Sequence, residues 1–101
     1  MSFWVYILAS RRNGTLYAGH TENLPERIWQ HRSKARKGFT ARHDVSRLVW
    51  MEPHPTREAA KLRERQIKAW KRLWKLKLIE ERNPDWTDLY PDLVNWWSKD
   101  A

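Results

Sequence analysis

The sequence predicts a small mixed α/β domain, and three observations support this prediction. Two stretches rich in aromatic and β-branched residues flank Asn13-Gly14, a dipeptide typical of β-hairpin turns. The segment Asn23-Leu24-Pro25-Glu26 has the pattern of a capping box with proline in the first turn, and it therefore predicts a helix start. Residues 56–82 contain neither glycine nor proline and carry apolar side chains at helical spacing. We expect residues 1–101 to form one domain.

The expected strands place two tyrosines on one face of a sheet. Three strands are expected, at Phe3 to Ala9, Thr15 to Gly19 and Arg47 to Glu52. A two-residue turn at Asn13-Gly14 would place Tyr6 opposite Thr21, whereas a looser loop would place Tyr6 opposite Tyr17. Both registers leave the two tyrosines on the same face, because side chains alternate along a strand.

The first helix is expected from about Leu24 to Lys37, with Gly38 ending it and cations in its last turn. Residues 38–44 are polar and basic, and they are therefore expected to form a loop. The segment Pro53-His54-Pro55-Thr56 is expected to break the third strand and to cap the helix that follows.

The long apolar pattern over residues 56–82 predicts two helices, because one straight helix would have to bury two faces. We expect the break near Lys71-Arg72 and the end of the helical region at Asn83-Pro84. Residues 83–101 are expected to wrap the core as a tail, with a short helix from Asp92. The predicted buried stripe contains Ala59, Ala60, Ile67, Trp70, Trp74 and Leu78.

The composition favours a polyanionic partner. Twenty Lys and Arg against twelve Asp and Glu give a net charge of +8, and nucleic acid is the commonest polyanion that such a surface attracts. The alternative is a basic, soluble protein with no role in nucleic-acid binding. Some of the eight tryptophans must be core, while others beside cations would offer stacking surfaces for bases.

The absence of certain features narrows the class of protein. With no cysteine, disulfides and thiolate metal sites are excluded. No apolar run approaches the roughly 20 residues of a membrane span, and the start lacks the pattern of a signal peptide. We therefore expect a cytoplasmic protein that does not act at a membrane.

Four groups of residues occur in an order typical of one nuclease family. Trp4-Val5-Tyr6 and Tyr17-Ala18-Gly19 lie on consecutive predicted strands, Arg27 on the first helix and Glu64 on a later helix. This combination resembles the GIY-YIG nuclease superfamily, which includes the N-terminal nuclease domain of the excinuclease C subunit. The resemblance covers roughly residues 3–82 and implies an α/β fold of the α+β type, with a small three-stranded antiparallel sheet flanked by helices.

The sequence looks closest to small stand-alone bacterial members, whose tail often has the pattern seen here from Asn83 to Leu89. It departs from the family pattern at two positions. Trp4 stands where the motif has glycine, and Ala18 stands where it has isoleucine or another aliphatic residue. Neither change removes a functional side chain, although the bulk of Trp4 would alter access to the sheet.

The resemblance implies a metal-dependent endonuclease that hydrolyses phosphodiester bonds in DNA. Tyr17 would act as general base and Tyr6 would orient the water or the phosphate. Arg27 would hold the scissile phosphate, for which a guanidinium fork is well shaped. His31, one helical turn after Arg27, would hold the phosphate or pass on a proton. Glu64 would bind one Mg²⁺ or Mn²⁺, since Mg²⁺ keeps several waters and needs few protein carboxylates.

Further cations are candidate contacts to phosphate, without sequence choice. These nucleic-acid-binding candidates are His20, Lys68, Lys71, Arg72 and Lys75. The alternatives are a non-catalytic nucleic-acid-binding module on the same scaffold and a protein-interaction domain that uses its tryptophans. RNA as substrate, a protein partner for targeting, the oligomeric state and the pathway (DNA repair, recombination or defence) stay open at this point.

Overall fold

The structure is a computed structural model that describes residues 2–34 and 38–99, with side chains described as far as residue 95. Three strands form one antiparallel sheet in the order β2-β1-β3, which places β1 in the centre. The strands are β1 (Phe3–Ala9), β2 (Leu16–Thr21) and β3 (Arg47–His54). The helices are α1 (Leu24–Arg32), α2 (Phe39–Arg42), α3 (Arg57–Ala69), α4 (Arg72–Arg82) and α5 (Tyr90–Lys99). The predicted α+β fold with a three-stranded antiparallel sheet is confirmed.

The hairpin loop is longer than the two-residue turn at Asn13-Gly14. The amide of Gly14 donates to the carbonyl of Arg11 at 2.9 Å, and the amide of Ser10 donates to the carbonyl of Thr15 at 3.0 Å. Asn13 has a φ of 58°, in the left-handed region that asparagine tolerates. The turn therefore spans Arg11 to Gly14, and the Asn-Gly pair forms its second half.

This loop sets a register that differs from both predicted ones. Tyr6 pairs with Gly19, and Tyr17 pairs with Leu8. The expected pairings of Tyr6 with Thr21 or with Tyr17 were therefore wrong. Their shared consequence is confirmed, because the centroids of the two tyrosine rings lie 6.4 Å apart on one face of the sheet.

Helix α1 is shorter than predicted. It ends at Arg32, where the amide of Ser33 donates to the carbonyl of Trp29 at 2.9 Å, and Lys34 then turns the chain with a φ of 58°. Gly38 was wrongly predicted to end this helix, since it directly precedes α2 with a φ of 129°. Residues 38–44 contain the short helix α2 rather than only a loop. Residues 35–37 lie outside the described residues.

Strand β3 continues through Pro53 to His54, so the prediction that Pro53 breaks it was wrong. Pro53 pairs with Trp4 and is tolerated because β3 is an edge strand, where a missing amide proton costs no interior ladder bond. Thr56 caps α3 as predicted, and its hydroxyl oxygen accepts from the amide of Ala59 at 3.1 Å.

The predicted break in the long helical region is confirmed. Trp70 and Lys71 adopt extended backbone angles between α3 and α4, and Asn83 ends α4. Helix α5 begins at Tyr90, two residues before the predicted start, because a carboxylate oxygen of Asp88 accepts from the amide of Tyr90 at 3.1 Å.

The sheet separates two apolar clusters. The first includes Val5, Ile7, Ala18, Ala60, Ile67, Ile79 and Trp86. The second, on the face of the two tyrosines, includes Tyr6, Leu8, Leu24, Ile28, Val45, Leu48 and Leu93. Trp74 was predicted to lie in the buried stripe, yet 55% of its surface is exposed because α4 turns its other side to the sheet. No helix in the described part of the chain is long and apolar enough to cross a bilayer.

Candidate active site

The two tyrosines are packed against Gly19, which lies on the same strand as Tyr17 and opposite Tyr6. A Cβ atom added at Gly19 would lie 2.6 Å from the hydroxyl oxygen of Tyr6 and 3.2 Å from Cε1 of Tyr17. The hairpin register places Gly19 directly opposite Tyr6, so a side chain at this position would occupy the space of the phenol. Gly19 is therefore required for close approach of the two rings to the sheet.

Helix α1 brings His31 to the two tyrosines. Its Nε2 lies 3.1 Å from the hydroxyl oxygen of Tyr6, and its Nδ1 lies 2.9 Å from the hydroxyl oxygen of Thr40. The centroids of the His31 and Tyr17 rings are 5.5 Å apart. Tyr6 is fully buried and His31 is 5% exposed, so this geometry favours a role in positioning Tyr17 over direct contact with substrate.

Thr40 is a site residue that sequence reasoning missed. It lies in α2, within residues that were expected to form a loop, and it is buried at 7% exposure. Its contact with His31 depends on how α1 and α2 pack against each other, for which the sequence has no local signal. Neither helical periodicity nor a motif marks a threonine nine positions after a histidine as its partner.

Tyr17 reaches a cavity of about 240 Å³ beside β2. The cavity is lined by Ile7, Leu16, Tyr17, Ala18, Phe39, Ile67, Lys68 and Lys75. Within the described residues, the Tyr17 hydroxyl makes no hydrogen bond to another protein group. The ammonium nitrogen of Lys68 lies 5.7 Å from the centroid of the Tyr17 ring. The Tyr17 hydroxyl therefore has no hydrogen-bond partner among the described residues, and its side chain lines a largely apolar cavity that two lysines border.

Glu64 contacts both His20 and Lys68. One carboxylate oxygen is 2.7 Å from Nδ1 of His20, and the other is 2.9 Å from Nζ of Lys68. Partial burial by itself would raise the pKa of Glu64, but the hydrogen bonds and charges of His20 and Lys68 together outweigh it. The pKa of Glu64 therefore lies below its ordinary value of 4.5, and the carboxylate is ionised at neutral pH.

This ion pair predicts a pH-dependent contribution to stability. Because the pKa is lowered in the folded protein, the interactions of Glu64 stabilise the fold above pH 4.5 and are lost as the pH falls through the folded-state pKa. We expect Glu64→Gln to lower the free energy of unfolding at pH 7 by no more than about 1 kcal/mol, since the partners are partly exposed. The difference between variant and wild type should shrink below pH 4.5. Urea titrations at several pH values would measure it, and a difference that grows in acid would contradict the prediction.

The two parts of the site meet around the edge of the sheet. Tyr17 projects toward α1, whereas His20 pairs with Val5 and projects toward α3, because residues three apart on a strand lie on opposite faces. Strand β2 is an edge strand, so a long side chain can pass around it. Lys68 does so, since it contacts Glu64 and lies over the Tyr17 ring.

The donor set at Glu64 fits one hard divalent cation with water ligands. The carboxylate is ionised and its side chain is 18% exposed, so water and a cation can reach it. The described residues contain no cluster of three or more His, Asp or Glu side chains that would form a complete protein cage. A single carboxylate, with His20 adjacent, matches the preference of Mg²⁺ for few protein ligands and several waters.

Arg27 lies on α1 in a separate groove of about 160 Å³. The groove begins at Thr21, the residue after His20, and also includes Glu26 and Gln30. In residues 2–34 and 38–95, no hydrogen bond or ion pair engages the Arg27 guanidinium, and none joins it to Tyr17 or Glu64. The structure thus forms two groups of candidate residues. One group contains Tyr6, Tyr17 and His31, and the other contains His20, Glu64 and Lys68. Arg27 belongs to neither group and lies in the groove at the end of β2.

The remaining candidate cations differ in availability. Lys75 lines the Tyr17 cavity, and Lys71 is exposed at the start of α4. Arg72 donates to the carbonyl oxygens of Asn13 and Gly14 at 2.8 and 2.7 Å, so its guanidinium ties α4 to the hairpin loop. Nucleic-acid contacts by these three residues stay predictions.

This fold and the order of its site residues define a class of nuclease domain. A family model described as the GIY-YIG catalytic domain matches residues 2–77, and the chain therefore belongs to the GIY-YIG nuclease family. The resemblance inferred from the sequence is confirmed. The match ends within α4, so α5 and the segment before it lie beyond the family pattern.

Within this family, the chain is similar to small stand-alone bacterial members called UPF0213 proteins. It is 37% identical over 79 residues to one from Staphylococcus haemolyticus, covering 78% of this chain and 95% of that one. It is 33% identical over 78 residues to another from Staphylococcus saprophyticus, covering 77% and 94%. The solution NMR structure of the UPF0213 protein BH0048 from Bacillus halodurans superposes with a TM-score of 0.54 at 27% identity, covering 87% of this chain and 93% of that one.

Proposed function

We propose that this protein is a metal-dependent endonuclease that hydrolyses phosphodiester bonds in DNA. One observation carries the proposal most directly. The unpartnered phenol of Tyr17 faces a cavity lined by Lys68 and Lys75, and Lys68 also pairs with the ionised carboxylate of Glu64. Lys68 therefore connects the candidate proton acceptor, Tyr17, with the candidate metal ligand, Glu64. It is also one of the two cations that could contact a phosphate in the cavity.

In this mechanism each residue has a role that follows from its surroundings. Tyr17, in its phenolate form, accepts a proton from the attacking water and becomes the neutral phenol. Its side chain lines the cavity. His31 and Tyr6 are hydrogen-bonded to each other, and their rings pack against the Tyr17 ring and hold it in position. Arg27 binds a phosphate oxygen from the groove at the end of β2 with its unpaired guanidinium.

Glu64 would hold the divalent cation. When bound, Mg²⁺ or Mn²⁺ would polarise the phosphate and neutralise charge on the leaving oxygen. A nucleic-acid substrate is supported by the net charge of +8 and by the cations that line the Tyr17 cavity, and the GIY-YIG family favours DNA as that substrate. RNA carries the same backbone charge and is the alternative substrate that the assays below would detect.

Replacing Tyr17 by phenylalanine tests the proposal. The variant keeps the ring that packs on His31 and removes only the hydroxyl, so it should fold and yet lose the general base. We expect its cleavage rate to fall by at least about 100-fold, the lower end of general-base effects. Initial rates on plasmid, single-stranded DNA and RNA in Mg²⁺ or Mn²⁺ would measure this, with chelator as the metal-free control.

Tyr90→Phe provides the matched control, since Tyr90 lies at the start of α5 and its ring stacks on the Arg32 guanidinium. This control should cleave at the wild-type rate. Wild-type activity in Tyr17→Phe would remove Tyr17 from the mechanism. If the wild type binds DNA in a salt-sensitive manner but never cleaves it, the chain is a non-catalytic binding module on this scaffold.

A further inference from the structure

We propose that Lys68 is a built-in counter-ion of Glu64, which occupies a carboxylate oxygen until a divalent cation replaces it and then moves into the Tyr17 cavity. This inference rests on the proposed function, because it takes Glu64 as the metal ligand. It adds a role for a lysine that the sequence marks as a candidate contact to nucleic acid.

Both carboxylate oxygens of Glu64 are engaged. Nζ of Lys68 lies 2.9 Å from one oxygen, and Nδ1 of His20 lies 2.7 Å from the other. A cation that binds this carboxylate must therefore share or displace one of these partners. An ammonium group and a divalent cation bound to the same carboxylate would also lie close together, and their positive charges would repel each other.

Lys68 is the partner that can leave. Its side chain is 50% exposed and has four rotatable bonds, so the ammonium can move without any change in the backbone. The side chain of His20 is only 25% exposed and lies on β2, which is hydrogen-bonded to the centre of the sheet. Metal binding that releases Lys68 and keeps His20 thus requires the smallest rearrangement.

The cavity beside β2 offers a place for the released ammonium. Lys68 lines the cavity together with Tyr17 and Lys75, and its nitrogen already lies 5.7 Å from the centroid of the Tyr17 ring. A rotation of the side chain away from Glu64 would place the charge in the cavity. There it would face phosphate oxygens of a bound strand, so metal loading and phosphate binding would be linked through one side chain.

A plain helix ion pair is the competing explanation, because Glu64 and Lys68 are four residues apart. Such pairs are usually solvated on both sides and worth little. Here the carboxylate is 18% exposed and holds His20 as well, and the ammonium lies against the ring of the proposed general base. The pair therefore lies at the junction of the metal site and the cavity.

The experiment measures Mn²⁺ binding to the full chain by titration calorimetry and electron paramagnetic resonance. We expect Lys68→Met to bind Mn²⁺ about threefold to tenfold more tightly than the wild type, because the competing ammonium is gone. Lys68→Arg keeps a cation beside the carboxylate and should bind Mn²⁺ no more tightly than the wild type. Lys68→Gln provides a second neutral side chain should Lys68→Met fold poorly.

Lys61→Met is the matched control for charge. Lys61 is exposed on the same helix, three residues before Glu64, and among the described residues it has no ion pair with that carboxylate. The Lys61→Met variant removes one positive charge but keeps the contact between Lys68 and Glu64. Its Mn²⁺ affinity should therefore stay within about twofold of the wild type.

The outcomes separate this inference from the proposed nuclease function. Unchanged or weaker Mn²⁺ binding in Lys68→Met and Lys68→Gln, with wild-type binding that Glu64→Gln abolishes, would overturn the counter-ion role and leave the nuclease proposal standing. An equal gain in Lys61→Met would also overturn it, since the effect would be one of general charge. If neither wild type nor Lys68→Met binds Mn²⁺ through Glu64, both proposals fail.

Discussion

Glu64→Gln is expected to reduce metal-dependent DNA cleavage by about 1000-fold, which corresponds to roughly 4 kcal/mol in the activation barrier. Glutamine keeps the size of the side chain and a hydrogen-bond acceptor for His20, but it lacks the negative charge that a divalent cation requires. The loss should appear as absent Mn²⁺ binding together with a cleavage rate that no longer responds to added metal.

Glu58→Gln is the matched control for this variant. Glu58 is exposed in the first turn of α3, the helix that also carries Glu64, so the same chemical change there alters the charge of the helix without touching the site. It should leave cleavage unchanged. Metal-stimulated cleavage that survives in Glu64→Gln would show that the cation binds elsewhere.

Gly19→Ala is expected to give the largest loss of stability, about 1–3 kcal/mol, as is typical of overpacking in a core. The added Cβ would lie 2.6 Å from the hydroxyl oxygen and 2.7 Å from Cζ of Tyr6. Tyr6 has no room to move, because it is fully buried and hydrogen-bonded to His31. Urea denaturation would measure the loss, and the displaced tyrosines should also lower the cleavage rate.

A double-mutant cycle with Tyr6→Phe would identify the cause. The nearest atom to the added Cβ is the Tyr6 hydroxyl oxygen, so Gly19→Ala should cost less in the Tyr6→Phe background than in the wild type. Some cost should remain, since the ring carbon at 2.7 Å is still present. Equal costs in both backgrounds would mean that the strain arises elsewhere in the hairpin.

Some parts of the fold could be predicted because their causes are local. The strand β1 with its aromatic and β-branched residues, the cap formed by Thr56 and the break between α3 and α4 each depend on residues within a few positions of one another. The end of α1 was mistaken because Lys34 adopts a positive φ that glycine usually supplies. The hairpin register was mistaken because Arg11 and Arg12 are part of the turn. The length of the turn depends on how both strands pair along the whole hairpin and not on the Asn-Gly dipeptide alone.

By itself, the sequence determined the class of domain, its basic charge and the types of side chain at the site. These properties depend on composition, on short-range periodicity and on the order of motifs along the chain, all of which can be read without coordinates. Only the tertiary structure placed Thr40 on His31, His20 on Glu64, and Lys68 over the ring of Tyr17. Those contacts join residues on separate elements, and their distances follow from how α1 and α3 pack against opposite faces of one narrow sheet.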